Sequence, residues 1–139
     1  MTQFVLDASV ALSWFIDRPV APYAVRVEEV LARGGRAIVP ALWRVEVPNG
    51  FVIAERRRIL TFSDTALAIQ KCEALLRKSI DSVQEPVSLR QVLTLAQQFQ
   101  LTAYDACYLD LARELRLPLA TLDRRLAEAA NQAGVPLLH

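Results

Sequence analysis

Histidine is almost missing from this chain: the only one is His139, the last residue. That excludes a Ser-His-Asp triad, a histidine general base and a histidine-bearing zinc site inside the fold. Cysteine is as scarce, with Cys72 and Cys107 alone. Both fall on apolar helical stripes, too far apart to form a metal-type pair, and read as buried reduced thiols, as expected of a cytoplasmic protein. No apolar run approaches the ~18 residues of a membrane span, and no charged-then-apolar signal segment precedes the first strand, so no membrane association is expected. Lysine is nearly absent too: Lys71 and Lys78 stand against fourteen arginines, a residue suited to bidentate contact with phosphate or carboxylate. Formal charge is only +1, so no overall basic field exists and local patches must steer any polyanion.

What remains is a globular composition. The chain has 139 residues, 53% apolar and 22% charged, enough for one real core and too few for two ordinary domains. Residues 3–6 form a short continuous apolar run that predicts a buried strand. Ser9 is placed to cap a helix over 10–15, which Pro19 and Pro22 interrupt. Helical spacing resumes over 23–33 and stops at Gly34-Gly35. A second strand is expected at 36–39, followed by a helix starting at Pro40 with Leu42, Val45, Phe51 and Val52 on one face. Ser63 is expected to cap the next helix, with Leu67, Cys72, Leu75 and Leu76 inward. Residues 80–83 read as a third strand. Ser88 then caps a helix carrying Leu89, Val92, Leu93, Ala96 and Phe99, and residues 102–115 form another with Tyr108, Leu109, Ala112 and Leu115 on its apolar stripe. A strand at 119–122, a helix at 124–133 closed by Gly134 and a final strand at 135–138 complete the pattern. Strands alternating with helices imply right-handed crossovers and a parallel sheet covered on both faces, an α/β fold in a single domain.

Four acidic residues break this pattern. Asp7 ends the first strand, Asp123 follows the fourth, and Glu46 and Asp105 interrupt otherwise apolar helical stretches. A carboxylate in such a place is costly to desolvate without a cation or hydrogen bonds, and four together would repel one another unless a hard divalent metal held them. In an open parallel sheet, residues following strands project into the crevice beyond the strands' carboxyl ends, where ligands bind. Each acid also has an ordinary structural reading: Asp7 as a cap, Asp105 as a complement to the helix dipole, Asp123 as a turn former, Glu46 as a partner for Arg44. Their joint placement favours a metal site acting on phosphate.

The residues around these acids resemble a known family. Val5-Leu6-Asp7-Ala8-Ser9-Val10 and Pro40-Ala41-Leu42-Trp43-Arg44-Val45-Glu46-Val47-Pro48-Asn49 are similar to the opening half of PIN-domain proteins. Thr102-Ala103-Tyr104-Asp105-Ala106-Cys107-Tyr108-Leu109 and Leu119-Ala120-Thr121-Leu122-Asp123-Arg124-Arg125-Leu126 are similar to the closing half, above all to VapC-type toxins of bacterial toxin-antitoxin pairs. The resemblance implies one PIN-like nuclease domain over 1–139, with a five-stranded parallel sheet between helical layers. It implies a Mg²⁺- or Mn²⁺-dependent endoribonuclease, usually a homodimer neutralised by a small cognate antitoxin. Asp7, Glu46, Asp105 and Asp123 then become the catalytic and metal-binding carboxylates, with Ser9, Asn49 and Thr121 in supporting places. Arg124 and Arg125 stand where they could hold flanking RNA phosphates, or simply form an exposed first helical turn. Pro48 departs from the family, which usually has a small helix former there. Its missing amide would normally bond the Arg44 carbonyl, so a tilt of Glu46 is expected.

Hydrolysis of an RNA phosphodiester is thus the expected chemistry, with the carboxylates holding one or two divalent ions. The alternative is a catalytically weak PIN-like module for RNA binding or processing that is not a toxin. A phosphoacceptor receiver domain would need a lysine after a late strand, and both lysines lie mid-chain. Trp14, Phe15 and Trp43 are expected in the core rather than in a groove for a partner helix.

Overall fold

The computed structural model describes all 139 residues. In chain order the elements are β1 (Gln3–Leu6), α1 (Ala8–Ile16), α2 (Pro22–Ala32), β2 (Arg36–Pro40), α3 (Trp43–Arg56), α4 (Phe62–Lys78), β3 (Ile80–Val83), α5 (Leu89–Phe99), α6 (Ala103–Leu115), β4 (Leu119–Ala120) and α7 (Arg124–Gln132). The strands make one parallel sheet in the order β3-β2-β1-β4. Phe4, Val5 and Leu6 are all fully buried, as a strand covered on both faces requires. On one side α6 lies across β1, β2 and β4 with α5 and α7 against it, while α2 meets β2 and α4 meets β3. The result is a three-layer α/β fold. Strand order moves outward from β1 to β2 to β3 and then jumps back across β1 to β4, so the order reverses between β1 and β4. That switch point is where a crevice opens at the strands' carboxyl ends.

The sheet has four strands, not the expected five. Residues 135–138 contribute only a bridge between Leu119 and Leu137, with Leu119 N–H donating to the Pro136 carbonyl. Pro136 has no amide to give, and β4 is too short to template a longer partner. β4 stops at Ala120 because the next amides turn to side chains: Leu122 N–H to Ser9 Oγ at 2.9 Å and Asp123 N–H to Thr121 Oγ1 at 3.0 Å.

Several helix starts and faces also differ. Pro40 belongs to β2, opposite Val83, and α3 begins at Trp43. The buried face is Trp43, Val47, Phe51 and Ala54, and Val45 and Val52, expected inward, are 65% and 38% exposed. The inward stripe runs through Trp43, Val47 and Phe51, at the i, i+4, i+8 spacing of one helical face, and Val45 and Val52 lie off it. Thr61 rather than Ser63 caps α4, in a reciprocal capping box with Asp64. Asp7, not Ser9, holds the N-cap position of α1, and it makes no side-chain cap there. Leu67, Leu89, Leu93 and Leu115 are exposed although their spacing placed them inward. Ser88 and Thr102 cap α5 and α6 through their hydroxyls. α3 runs through Pro48 without interruption, and the bond it forfeits falls beside exposed Arg44, where water is the natural replacement.

Trp14 and Trp43 are core residues. The indole of Trp14 donates to the Ala24 carbonyl at 2.8 Å, and Phe15 packs edge-on against Phe51 at 5.7 Å. A Cβ on Gly50 would come 2.5 Å from Leu12 Cδ2, so a larger residue there would push the Leu12 side chain aside where α3 meets α1. No helix is long and apolar enough to cross a membrane.

Candidate active site

Asp7 leaves β1 at the switch point and is 5% exposed. Register explains its neighbour: Leu6 pairs with Ala120, the Asp7 amide donates to the Ala120 carbonyl at 3.0 Å, and Thr121 follows at once. Thr121 Oγ1 donates to Asp7 Oδ2 at 2.8 Å and Ser9 Oγ donates to the same oxygen at 2.6 Å. Both hydroxyls are spent twice, since Ser9 Oγ also accepts from Leu122 N–H and Thr121 Oγ1 from Asp123 N–H. One hydrogen-bonded knot thus ties β1, the start of α1 and the end of β4 together. Asp123 sits in the same knot as N-cap of α7, its Oδ1 accepting the amides of Arg125 and Leu126 at 2.9 and 3.2 Å.

Glu46 and Asp105 approach from the helices. Glu46 lies in the first turn of α3, half-buried, and its Oε1 accepts from Tyr108 Oη at 2.6 Å. Asp105 is in the first turn of α6, its amide bonded to the capping Thr102 hydroxyl at 3.1 Å.

The four carboxylates act on one another electrically. Burial holds the Asp7 carboxyl above its ordinary range against the two hydroxyls that favour its anion, and the charge of Asp123 pushes the same way. Burial raises Glu46 as well, opposed by the Tyr108 hydrogen bond and aided by the charge of Asp7. Asp105 is pushed up to about 6, first by burial and then by the charges of Asp123, Asp7 and Glu46. Tyr108 is driven well above the usual phenol range, by burial first and by its bond to Glu46.

All four acids expected at the site therefore lie within electrostatic reach, as do Ser9 and Thr121. Asn49 does not join them: it is exposed and bonds to none of the acids. Arg124 and Arg125 are exposed in the first turn of α7, beside Asp123. Tyr108 was missed as a site residue because its position on an apolar helical stripe reads simply as core.

The donor set suits a hard divalent cation in kind, being anionic oxygen throughout. Glu46 and Asp123 each keep one oxygen without a hydrogen bond from the protein. In placement the match is incomplete: no three His, Cys, Asp or Glu side chains converge closely enough to hold an ion between them. The carboxylates share a field without forming a closed coordination shell.

A groove of about 690 Å³ flanks the site between α5, α6 and the ends of β2 and β3. Leu89, Leu93 and Tyr104 give it apolar walls, Glu85, Asp110 and Glu114 supply its charge, and no Lys or Arg lines it.

Comparison with known proteins fits this geometry. The family model described as PIN domain matches residues 4–132. Among solved structures, PAE2754 from Pyrobaculum aerophilum superposes with a TM-score of 0.66 at 21% identity, over 92% of this chain and 84% of that one. A domain of a functionally unknown protein from Methanocaldococcus jannaschii gives 0.57 at 17% identity, over 100% of this chain and 92% of that one. These structural likenesses speak to the fold alone. No curated protein matches the chain.

Proposed function

The chain belongs to the PIN-domain family, and from that premise we propose that it is a Mg²⁺- or Mn²⁺-dependent endoribonuclease, the toxin of a bacterial toxin-antitoxin pair acting in the cytoplasm. PIN domains are generally nucleases that use divalent metal ions. The observation that carries this reading is the gathering of Asp7, Glu46, Asp105 and Asp123 at the β1/β4 switch point, close enough for Asp105 to feel the other three. Mutually repelling carboxylates at a ligand crevice are unfavourable for stability, and binding a cation is the use that offsets the cost.

When bound, the divalent ion supplies charge neutralisation at phosphate and lowers the pKa of water. The chain's own residues do the rest. Ser9 and Thr121 fix the orientation of Asp7, and the α7 amides fix Asp123. Hydrolysis joins the water oxygen to phosphorus and breaks the P–O bond to one ribose oxygen; the attacking water gives up a proton, and the departing ribose oxygen takes one up to leave as an alcohol. With no histidine inside the fold, a carboxylate oxygen is the acceptor for the water's proton, and Asp105, half-buried at the helix start, is the residue we assign to it. Arg124 and Arg125 extend from beside Asp123 and suit the flanking phosphates of RNA.

The partners follow from the same reading. The groove beside the site, apolar and lined by carboxylates alone among charged groups, suits a small antitoxin segment carrying apolar and basic side chains. The toxin acts as a homodimer, with residues 1–139 as one nuclease unit in each copy. Leu93→Asp is expected to abolish neutralisation by the antitoxin while cleavage continues; retained neutralisation refutes this docking surface.

The central test is RNA cleavage by purified protein with Mg²⁺ or Mn²⁺, paired with growth arrest on expression and its relief by the neighbouring reading frame. Asp7→Asn should remove cleavage and leave the circular dichroism spectrum unchanged; cleavage at the native rate refutes the site. A second reading, a catalytically weak RNA-binding or RNA-processing module, is favoured by the absence of any three acids arranged around one point. Calorimetry decides between them, because that module shows no Asp7-dependent Mn²⁺ binding at millimolar concentration.

A further inference from the structure

Tyr108 is fully buried, and its hydroxyl reaches one oxygen of Glu46 at 2.6 Å across 62 residues of sequence. A buried phenol needs an acceptor, and phenylalanine would fill the same volume without that need. The acceptor here is a carboxylate, which makes the bond charge-assisted and directional.

Three further observations give the contact a purpose. Glu46 has the longest and most freely rotating side chain of the four acids, and Tyr108 is the only side-chain donor it meets. Asp7 and Asp123, by contrast, each accept two protein hydrogen bonds. Pro48 removes the amide that would have bonded the Arg44 carbonyl, so the backbone around Glu46 has one restraint fewer. Tyr108 also stands three residues after Asp105 on α6, on the same helical face. α3 packs against α1 and α4, whereas α6 packs against α5, α7 and the sheet. The phenol therefore links two acid-bearing helices that lean on different neighbours.

We propose that Tyr108 is a positioning residue for Glu46, its hydroxyl holding the carboxylate in a fixed orientation toward Asp7 and Asp105 so that a divalent cation meets a preset oxygen. This inference rests on the metal-dependent reading of the same four acids. It assigns Tyr108 no contact with substrate or metal. Groups that orient a metal ligand from behind change affinity or activity by about 10–100-fold when removed.

The experiment titrates Mn²⁺ by calorimetry into the wild-type chain, Tyr108→Phe, Glu46→Gln and the double variant, each confirmed as folded by near-ultraviolet circular dichroism. Tyr108→Phe should weaken Mn²⁺ binding about tenfold. The double variant should bind no more weakly than Glu46→Gln alone, since the hydroxyl acts through that carboxylate. In RNA cleavage, Tyr108→Phe should raise the Mn²⁺ concentration for half-maximal rate and leave the saturated rate close to wild type. Unchanged Mn²⁺ binding in Tyr108→Phe, alongside weakened binding in Glu46→Gln, overturns the positioning role and leaves the metal site standing. A tenfold loss repeated in the Glu46→Gln background makes Tyr108 a packing residue and overturns it equally. If Asp7→Asn and Glu46→Gln both bind Mn²⁺ as wild type does, the metal site itself falls. Should Tyr108→Phe fold poorly, the Glu46 side-chain carboxyl resonance of the selectively labelled wild-type protein gives a second measurement. An isotope shift on exchanging solvent into D₂O supports the bond, and its absence overturns the proposal.

Discussion

The two halves of the candidate site are built on different plans. On the strand side, Asp7 and Asp123 sit in a knot of hydrogen bonds in which Ser9 and Thr121 each serve two partners, and β1, α1, β4 and α7 all contribute. On the helix side, Glu46 is tethered by one phenol and Asp105 stands half-buried at the start of α6. The strand side is fixed by redundancy and the helix side by single contacts. A cluster of like charges tolerates this division, because adjustable carboxylates can settle around a ligand once a rigid pair has defined its place.

The hardest way to break the comparison is to remove the acids of the two halves one at a time. Asp7→Asn and Asp123→Asn are expected to abolish metal-dependent cleavage, while Glu46→Gln keeps a measurable rate in a single-turnover assay. Equal loss from both halves removes the distinction. The next largest effect is on stability. Thr121→Val preserves shape but takes one donor from Asp7 and leaves the Asp123 amide without its acceptor, which should cost about 1–3 kcal/mol in urea unfolding. A change within error makes the knot incidental.

A smaller effect sharpens the contrast through pH. Asp105 has a folded pKa of about 6, above the ~3.9 of an unfolded aspartate. The fold binds this proton more tightly than the unfolded chain does. Its contribution to stability is complete below the unfolded value and is lost as pH rises through about 6. In chelator, the thermal midpoint should therefore rise as pH falls from 7.5 to 5, and Asp105→Asn should flatten that rise. Asp81, held low by its hydrogen bonds from Arg36, and Asp64, held low by the Thr61 cap, lose their contribution only at more acid pH. The smallest effect belongs to the rim. Arg124→Ala and Arg125→Ala should each weaken RNA binding without changing sequence preference and lower the salt slope by about one.

The strand side was also the more legible in sequence. Asp7 could be placed because it directly follows β1, whose end fixes where the next side chain points, whereas Asp123 follows an apolar run whose strand stops at Ala120 and is aimed by its N-cap position on α7. Ser9 and Thr121 lay within two residues of them. Glu46 is harder to place, because its helix begins at Trp43 rather than Pro40 and its carboxylate is aimed by a tertiary contact, the bond from Tyr108. Tyr108 was hidden because a helical stripe records that a residue is buried and not what its polar atom meets. Leu89 and Leu93 were misplaced for a related reason: amphipathic spacing marks an apolar face, and an apolar face can line an open groove as readily as a core. The missing fifth strand turned on Pro136, whose lack of an amide outweighs the apolar residues around it.

The bond from Thr121 to Asp7 spans 114 positions of the chain. During translation, Asp7 leaves the ribosome long before the residues that will orient it have been made. An unfinished polypeptide carries the first acid without its hydroxyl clamp or its partner carboxylate, and so has no assembled centre. The four-acid cluster is therefore assembled only after residues 121–123 have been made, a consequence of the order in which the strands are threaded.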